Sequence, residues 1–139
     1  MASNAALDIR FPSDVQQIEE VVAQVVRRCR ECRFDGRQLS LNVPVALTEA
    51  LSNAILRGNC DDARKQVRVR ADVSELRLVL EVEDEGEGFD LEACTQDPTS
   101  LENLAREDGR GLFLMRSLMD EVERYRGAGN VVRLTLIRR

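Results

Sequence analysis

The sequence predicts a two-layer α/β sandwich, a mixed and largely antiparallel sheet covered on one face by helices, and three observations carry that prediction. Apolar residues recur at three and four positions through two early segments, the signature of amphipathic helices. The period then drops to two over the next segment, as a half-buried hairpin requires. Helical and hairpin patterns alternate to the last residue, an order that suits helices packed on one sheet. With 139 residues, 43% of them hydrophobic, the chain is long enough to bury a core without disulfide or metal staples. Neither a linker-like stretch nor a repeat divides it, so residues 1–139 are expected to form a single domain.

In order along the chain, Leu7 to Phe11 alternate enough for a short strand, which Pro12-Ser13-Asp14 stops while offering a helix cap. Ile18, Val21, Val22, Val25, Val26 and Cys29 then form one apolar stripe, predicting a helix over about Val15 to Cys32. Asp35-Gly36 breaks it. A second helix is expected from Ser40 or Asn42 to Gly58, with Pro44 in its first turn, where a missing N–H costs little. Its buried side is Leu47, Ala50, Leu51, Ala54 and Ile55. Val67, Val69, Ala71 and Val73, then Leu76, Leu78, Leu80 and Val82, alternate with polar residues and predict an antiparallel hairpin with one dry face. From Asp90 to Asp108 the pattern is lost, which reads as a loop. Leu112, Met115, Met119 and Val122 restore a helical stripe. A strand at Glu121 to Arg126, the turn Gly127-Ala128-Gly129-Asn130 and a strand from Val131 to Arg138 complete the prediction.

Composition excludes several functions. Against 25 Asp+Glu stand 20 Lys+Arg, a net charge of −5, which argues against a protein that grips nucleic-acid phosphates. The longest apolar runs fall far short of the ~20 residues that span a bilayer, and the start lacks a basic flank followed by an apolar stretch. A cytoplasmic protein without a membrane partner is expected. With no histidine, the chain alone builds no histidine triad, histidine-ligated zinc or phosphohistidine relay. Cys29 and Cys32 form a CxxC inside a helical pattern with no second CxxC, so the four cysteines, at 29, 32, 60 and 94, read as reduced thiols ahead of a redox switch.

Three segments hold residues that folding alone leaves unexplained. In Glu49-Ala-Leu-Ser-Asn53, the four-residue spacing sets a carboxylate and an amide on one helical face beside the apolar stripe, a pair able to hold a cation. Asp84-Glu85-Gly86-Glu87-Gly88-Phe89 lies where a buried strand ends, with Gly86 and Gly88 permitting close approach of a ligand and Asp84 able to accept from an amino group. Gly109-Arg110-Gly111-Leu112 opens a helix, where free N–H groups suit phosphates. Each segment alone is more often a solvated face, a turn or a helix start. In this order and in these settings, the three together point to a nucleotide site.

ExxxN on a helix, DxGxG after a strand and GxG at a helix start resemble the N, G1 and G2 boxes of the ATP-binding (Bergerat) fold shared by gyrase, Hsp90-type chaperones, histidine kinases and MutL. Within that superfamily the chain resembles the bacterial anti-sigma factor serine kinases, in Leu47 to Asn59, in Asp84 to Phe89 and in GRGLFLMRSLMDEV at 109–122. The resemblance implies ATP and Mg²⁺ as cofactors. Asn53 would be the Mg²⁺ ligand, Glu49 the general base toward a serine hydroxyl, and Asp84 the acceptor for the adenine amino group. It further implies that Gly86 and Gly88 pass close to base and sugar, and that Gly109, Arg110, Gly111 and Leu112 line the phosphates under a lid of about Glu92 to Asp108.

One position departs from the family pattern. Where members usually carry His eight residues after the N-box Glu, Arg57 stands here, either adding positive charge near the nucleotide or pairing with an acidic neighbour. Asn59 and Cys60 read as the helix exit. The resemblance implies an ATP-dependent protein serine kinase that phosphorylates an anti-sigma-factor antagonist, binds a sigma factor or similar partner, and forms a homodimer. The alternative is a non-catalytic ATP-binding module that sequesters a protein partner. Glu49 favours the kinase, since nucleotide binding alone does not need that carboxylate.

Overall fold

A computed structural model of the chain describes residues 5–86 and 111–139. Strand β1 (Ala5–Pro12) leads through a short 3-10 turn (Val15–Gln17) into helix α1 (Ile18–Glu31). The Asp14 carboxylate caps this start by accepting from the Gln16 N–H at 2.9 Å. Pro12 is the last paired residue of β1, which its place at the sheet edge allows.

The second helix starts earlier than the sequence suggests. Helical backbone begins at Gly36, because Asp35 supplies the cap by accepting from the Gln38 N–H at 2.7 Å. A widened turn (Gln38–Asn42) precedes α2 (Val43–Asn53), and a second widened turn (Ala54–Gly58) follows it. Pro44 therefore lies inside a continuous helix, and the wide turn before it, with Val43 N–H reaching back to Gln38 O, accommodates the missing donor. The 21 residues Gln38–Gly58 are long and apolar enough to cross a membrane, yet Leu47, Leu51 and Ile55 are fully buried in this fold, so the apolar side serves the core.

Strands β2 (Gln66–Val73) and β3 (Arg77–Asp84) form the expected hairpin. Leu76 is a correction: placed among the buried set by alternation, it sits in the turn and is 77% exposed. Helix α3 covers residues 111–118, followed by β4 (Glu121–Arg126) and β5 (Asn130–Ile137). Val122, read as the end of the α3 stripe, belongs to β4, because the helix stops before Met119. The segment from Asp90 to Asp108 and the Glu92 to Asp108 lid lie outside the described residues.

The sheet runs β1-β2-β3-β5-β4 with every pairing antiparallel. Val67, Val69, Val73, Leu78, Leu80, Leu134 and Leu136 point to one face, where they join Val25 and Cys29 of α1 and Leu47 and Leu51 of α2 in a single core. The other face is charged. Arg68 makes a two-pronged pair with Asp8 at 2.9 and 2.6 Å, and Glu81 takes Arg70 at 3.3 Å and Arg133 at 3.0 Å. One dry face and one polar face is the two-layer sandwich that the alternation predicts.

Candidate functional site

The core side of α2 fixes the site. With Ala46, Leu47, Ala50 and Leu51 buried under the sheet, Glu49 and Asn53 fall beside that stripe, one turn apart and half-buried. Gly111, the first described residue of α3, lies directly over them. A β-carbon there would stand 3.1 Å from Glu49 Oε2 and 3.3 Å from Asn53 Nδ2. The glycine thus lets the α3 backbone approach the carboxylate and amide together, and the first and third predicted segments meet.

The second segment joins through β3. Asp84 ends that strand, 7% exposed, and Oδ1 accepts from the Gly86 N–H at 2.8 Å and from Asn130 Nδ2 at 2.9 Å. Burial pushes its carboxyl above the ordinary carboxylate range, and these donors and the Arg126 charge pull it back only in part. Asn53, Ala54, Asp84, Leu112 and Arg124 line one cavity of about 20 Å³ between helices and sheet. Predicted residues from all three segments therefore face a common space. Its lining includes an amide and a carboxylate and an apolar part from Ala50, Val82 and Met115.

Arg57 is buried. It lies in the widened turn Ala54–Gly58 and is 6% exposed, so its charge is held inside the fold one turn beyond Asn53. Gly88, Gly109 and Arg110 lie outside the described residues.

Beside Gly86, which the sequence singled out, several residues that it did not single out shape the site. Gly58 and Gly86 have no room for side chains, since a β-carbon at Gly58 would overlap the Asp84 carboxylate and one at Gly86 would overlap the Gly58 carbonyl. Asn59, read as the helix exit, is fully buried. It donates to Ser13 Oγ at 2.8 Å and Gln66 O at 2.9 Å, and accepts from the Glu85 N–H at 2.7 Å. This side chain ties the α2 exit to β1, β2 and the backbone just after Asp84. Asn130, read as a turn residue, is paired opposite Asp84 in the β3–β5 register. Only the register of β3 against the non-consecutive strand β5 could have revealed that partnership.

The cysteines divide. Cys29 and Cys32 are free thiols, both with no exposure, and burial pushes the Cys29 thiol up to about 12. Cys60 is disulfide-bonded, which corrects the expectation of a reduced thiol at that position. Among the described residues, no group of three or more acidic, cysteine or histidine side chains is arranged to hold a metal. The donors open to a cation in this site are those of Glu49 and Asn53, which suit a hard ion shared with oxygen ligands from elsewhere.

The sequence matches the family described as histidine kinase-like ATPase domain over residues 11–136. The proteins named serine-protein kinase RsbW from Bacillus velezensis and Bacillus subtilis are each 35% identical to it over 99 residues, covering 68% of this chain and 62% of the relative. The protein of that name from Listeria innocua is 30% identical over 99 residues, covering 68% of this chain and 63% of the relative. The chain thus spans a little under two thirds of the length of these curated relatives. Among solved structures, a crystal structure of the RsbU and RsbW domains of a Mycobacterium tuberculosis protein matches with a TM-score of 0.68 at 20% identity, covering 96% of this chain and 32% of that one. At that identity the likeness speaks for the fold.

Proposed function

The chain belongs to the histidine kinase-like ATPase domain family, and on that footing we propose that it is an ATP- and Mg²⁺-dependent protein serine kinase, cytoplasmic and formed by residues 1–139 as one domain. Its substrate is a serine of an anti-sigma-factor antagonist, and its second partner is a sigma factor or a protein of like role. The observation that carries this reading is the juxtaposition of Gly111 with Glu49 and Asn53, which sets a carboxylate and an amide beside the first described turn of α3.

The residues fit the absent group. A β-carbon at Gly111 would crowd Glu49 Oε2 and Asn53 Nδ2, so the glycine keeps room beside them, and the buried Asp84 supplies an acceptor in the adjoining cavity. Bound Mg·ATP supplies a γ-phosphoryl group activated for in-line transfer. Asn53 gives the metal an oxygen ligand. Asp84 accepts from the adenine amino group and opposes a base that presents a carbonyl there. Glu49 takes the proton of the serine hydroxyl as its oxygen bonds to phosphorus and the bond to the ADP leaving oxygen breaks. Gly86 and Gly111 leave room for backbone to approach the nucleotide closely, and the sequence motif alone assigns Gly88, Gly109, Arg110 and Leu112 to the same nucleotide contact.

The test separates base from ligand. Glu49→Gln keeps shape and removes the base, so Mg·ATP affinity should hold while transfer of labelled γ-phosphate to the antagonist falls by roughly 10²–10⁴. Asn53→Ala should weaken Mg·ATP binding as well. Wild-type protein that binds partners in an ATP-dependent way yet transfers no phosphate would instead establish the non-catalytic module.

A further inference from the structure

A buried amide stands between a cation and the carboxylate that the nucleotide reading assigns to the base. Asn130 opens β5 and is 6% exposed. Its Nδ2 donates to Asp84 Oδ1 at 2.9 Å, and its Oδ1 accepts from Arg126 Nη1 at 2.9 Å. The same Nη1 donates to the Gly86 carbonyl at 2.9 Å, and the Gly86 N–H returns to Asp84 Oδ1 at 2.8 Å. Arg126, Asn130, Asp84 and Gly86 thus close a ring. A guanidinium only donates and a carboxylate only accepts, so the amide has one possible orientation between them.

We infer that Asn130, braced by Arg126, is the positioning residue that fixes the Asp84 carboxylate, engaging Oδ1 and leaving Oδ2 as the acceptor for the exocyclic amino group of a purine. These two residues thereby set the preference for adenine over a base with a carbonyl in that place. The inference rests on the nucleotide reading of the site.

The physical reason lies in what Asp84 becomes without its donor. A buried carboxyl that loses a hydrogen bond favours its neutral form and turns more freely about its last bond. A neutral carboxyl donates to a carbonyl as readily as it accepts from an amino group, and discrimination between the two bases is lost. Among the described residues, the charged groups near Asp84 are Arg124 and Arg126 from β4, and Arg10 and Arg68 with Glu83 and Glu85 around a second cavity that Asp84 also lines. The arginines keep their charge throughout, so Glu83 and Glu85 are the only neighbours in this set that titrate with it.

The experiment follows the Asp84 carboxyl by carbon-13 NMR across pH in nucleotide-free protein, and measures Mg·ATP and Mg·ITP affinity by calorimetry on the same variants. In Asn130→Leu the Asp84 midpoint should rise by about one pH unit, and the ATP-over-ITP affinity ratio should fall about tenfold. Asn130→Thr, which restores a donor, should recover part of both. Arg126→Met removes the brace together with its charge but leaves the Asn130 and Gly86 donors to Asp84 in place, so the midpoint should rise less. A midpoint unchanged in both Asn130→Leu and Arg126→Met overturns the inference even if wild-type protein prefers ATP. A ratio unchanged in Asn130→Leu overturns the role in base preference. If wild-type protein binds neither nucleotide while the midpoint still rises, the nucleotide reading falls, and base preference with it, but the coupling of Asn130 to Asp84 stands.

Discussion

The Asp84 carboxylate occupies the space that a side chain at Gly58 would fill. No left-handed backbone is required at Gly58, so the demand is for room alone. Gly58→Ala should force Asp84 from its donors, with a loss of about 1–3 kcal/mol typical of overpacking. Urea unfolding measures the first effect and nucleotide affinity the second. A variant as stable as wild type, with unchanged ATP affinity, would mean that the helix end and strand end yield easily.

Asn59 is expected to be costly to lose. With three hydrogen bonds from one fully buried side chain, Asn59→Ala strands the Glu85 N–H and the Gln66 carbonyl. Each hydrogen bond lost costs about 0.5–1.5 kcal/mol net, so with three lost the urea midpoint should fall below wild type. Hydrogen exchange at the Glu85 amide should accelerate beyond the change in global stability, because that amide loses its acceptor directly. Equal acceleration at all core amides would reduce Asn59 to an ordinary core contact.

Much of this fold is legible in the sequence because period reports burial directly. Val67, Val69, Ala71 and Val73 could face the core only as alternate residues of a strand, and Val21, Val25 and Cys29 only as one stripe of a helix. The misplacements fall where two local signals compete. Gly36 breaks one pattern yet begins a helix because Asp35 caps it, and Leu76 continues an alternation that the Ser74 turn has already ended. The site divides in the same way. Glu49, Asn53 and Asp84 stand out by type and spacing. Gly58, Asn59 and Asn130 act through contacts made 26 to 46 residues away, which chain-local reading does not reach.

The buried thiols should be inert in the native state. Cys29 and Cys32 have no exposure, and with the Cys29 thiol pushed up to about 12 by burial, thiolate is scarce at neutral pH. Iodoacetamide at pH 8 should leave both unmodified in folded protein and label both in urea. Rapid labelling of either one in native protein, or a change in partner binding on oxidation that Cys29→Ser abolishes, would restore the redox reading of this CxxC.

The raised Asp84 carboxyl makes a prediction in which stability and binding move in opposite directions. Its ionisation is easier in the unfolded chain than in the fold, where burial opposes the charge. The folded state therefore holds this proton more tightly. The stability that follows is fully present below the ordinary aspartate value of 3.8 and is lost as pH rises through the higher folded value. Above that folded value the free protein carries the cost of an ionised buried carboxylate. Asp84→Asn removes that cost while still offering an oxygen to Asn130, so the free variant should be more stable than wild type at pH 7, with the advantage shrinking as pH falls toward 4. Its ATP affinity should drop by about tenfold or more, since a charged acceptor is replaced by a neutral amide. Urea melts across pH give the first result and calorimetry the second. A variant less stable than wild type at pH 7 would show that the donors from Gly86 and Asn130 outweigh desolvation, and that Asp84 is held for the fold rather than for the base.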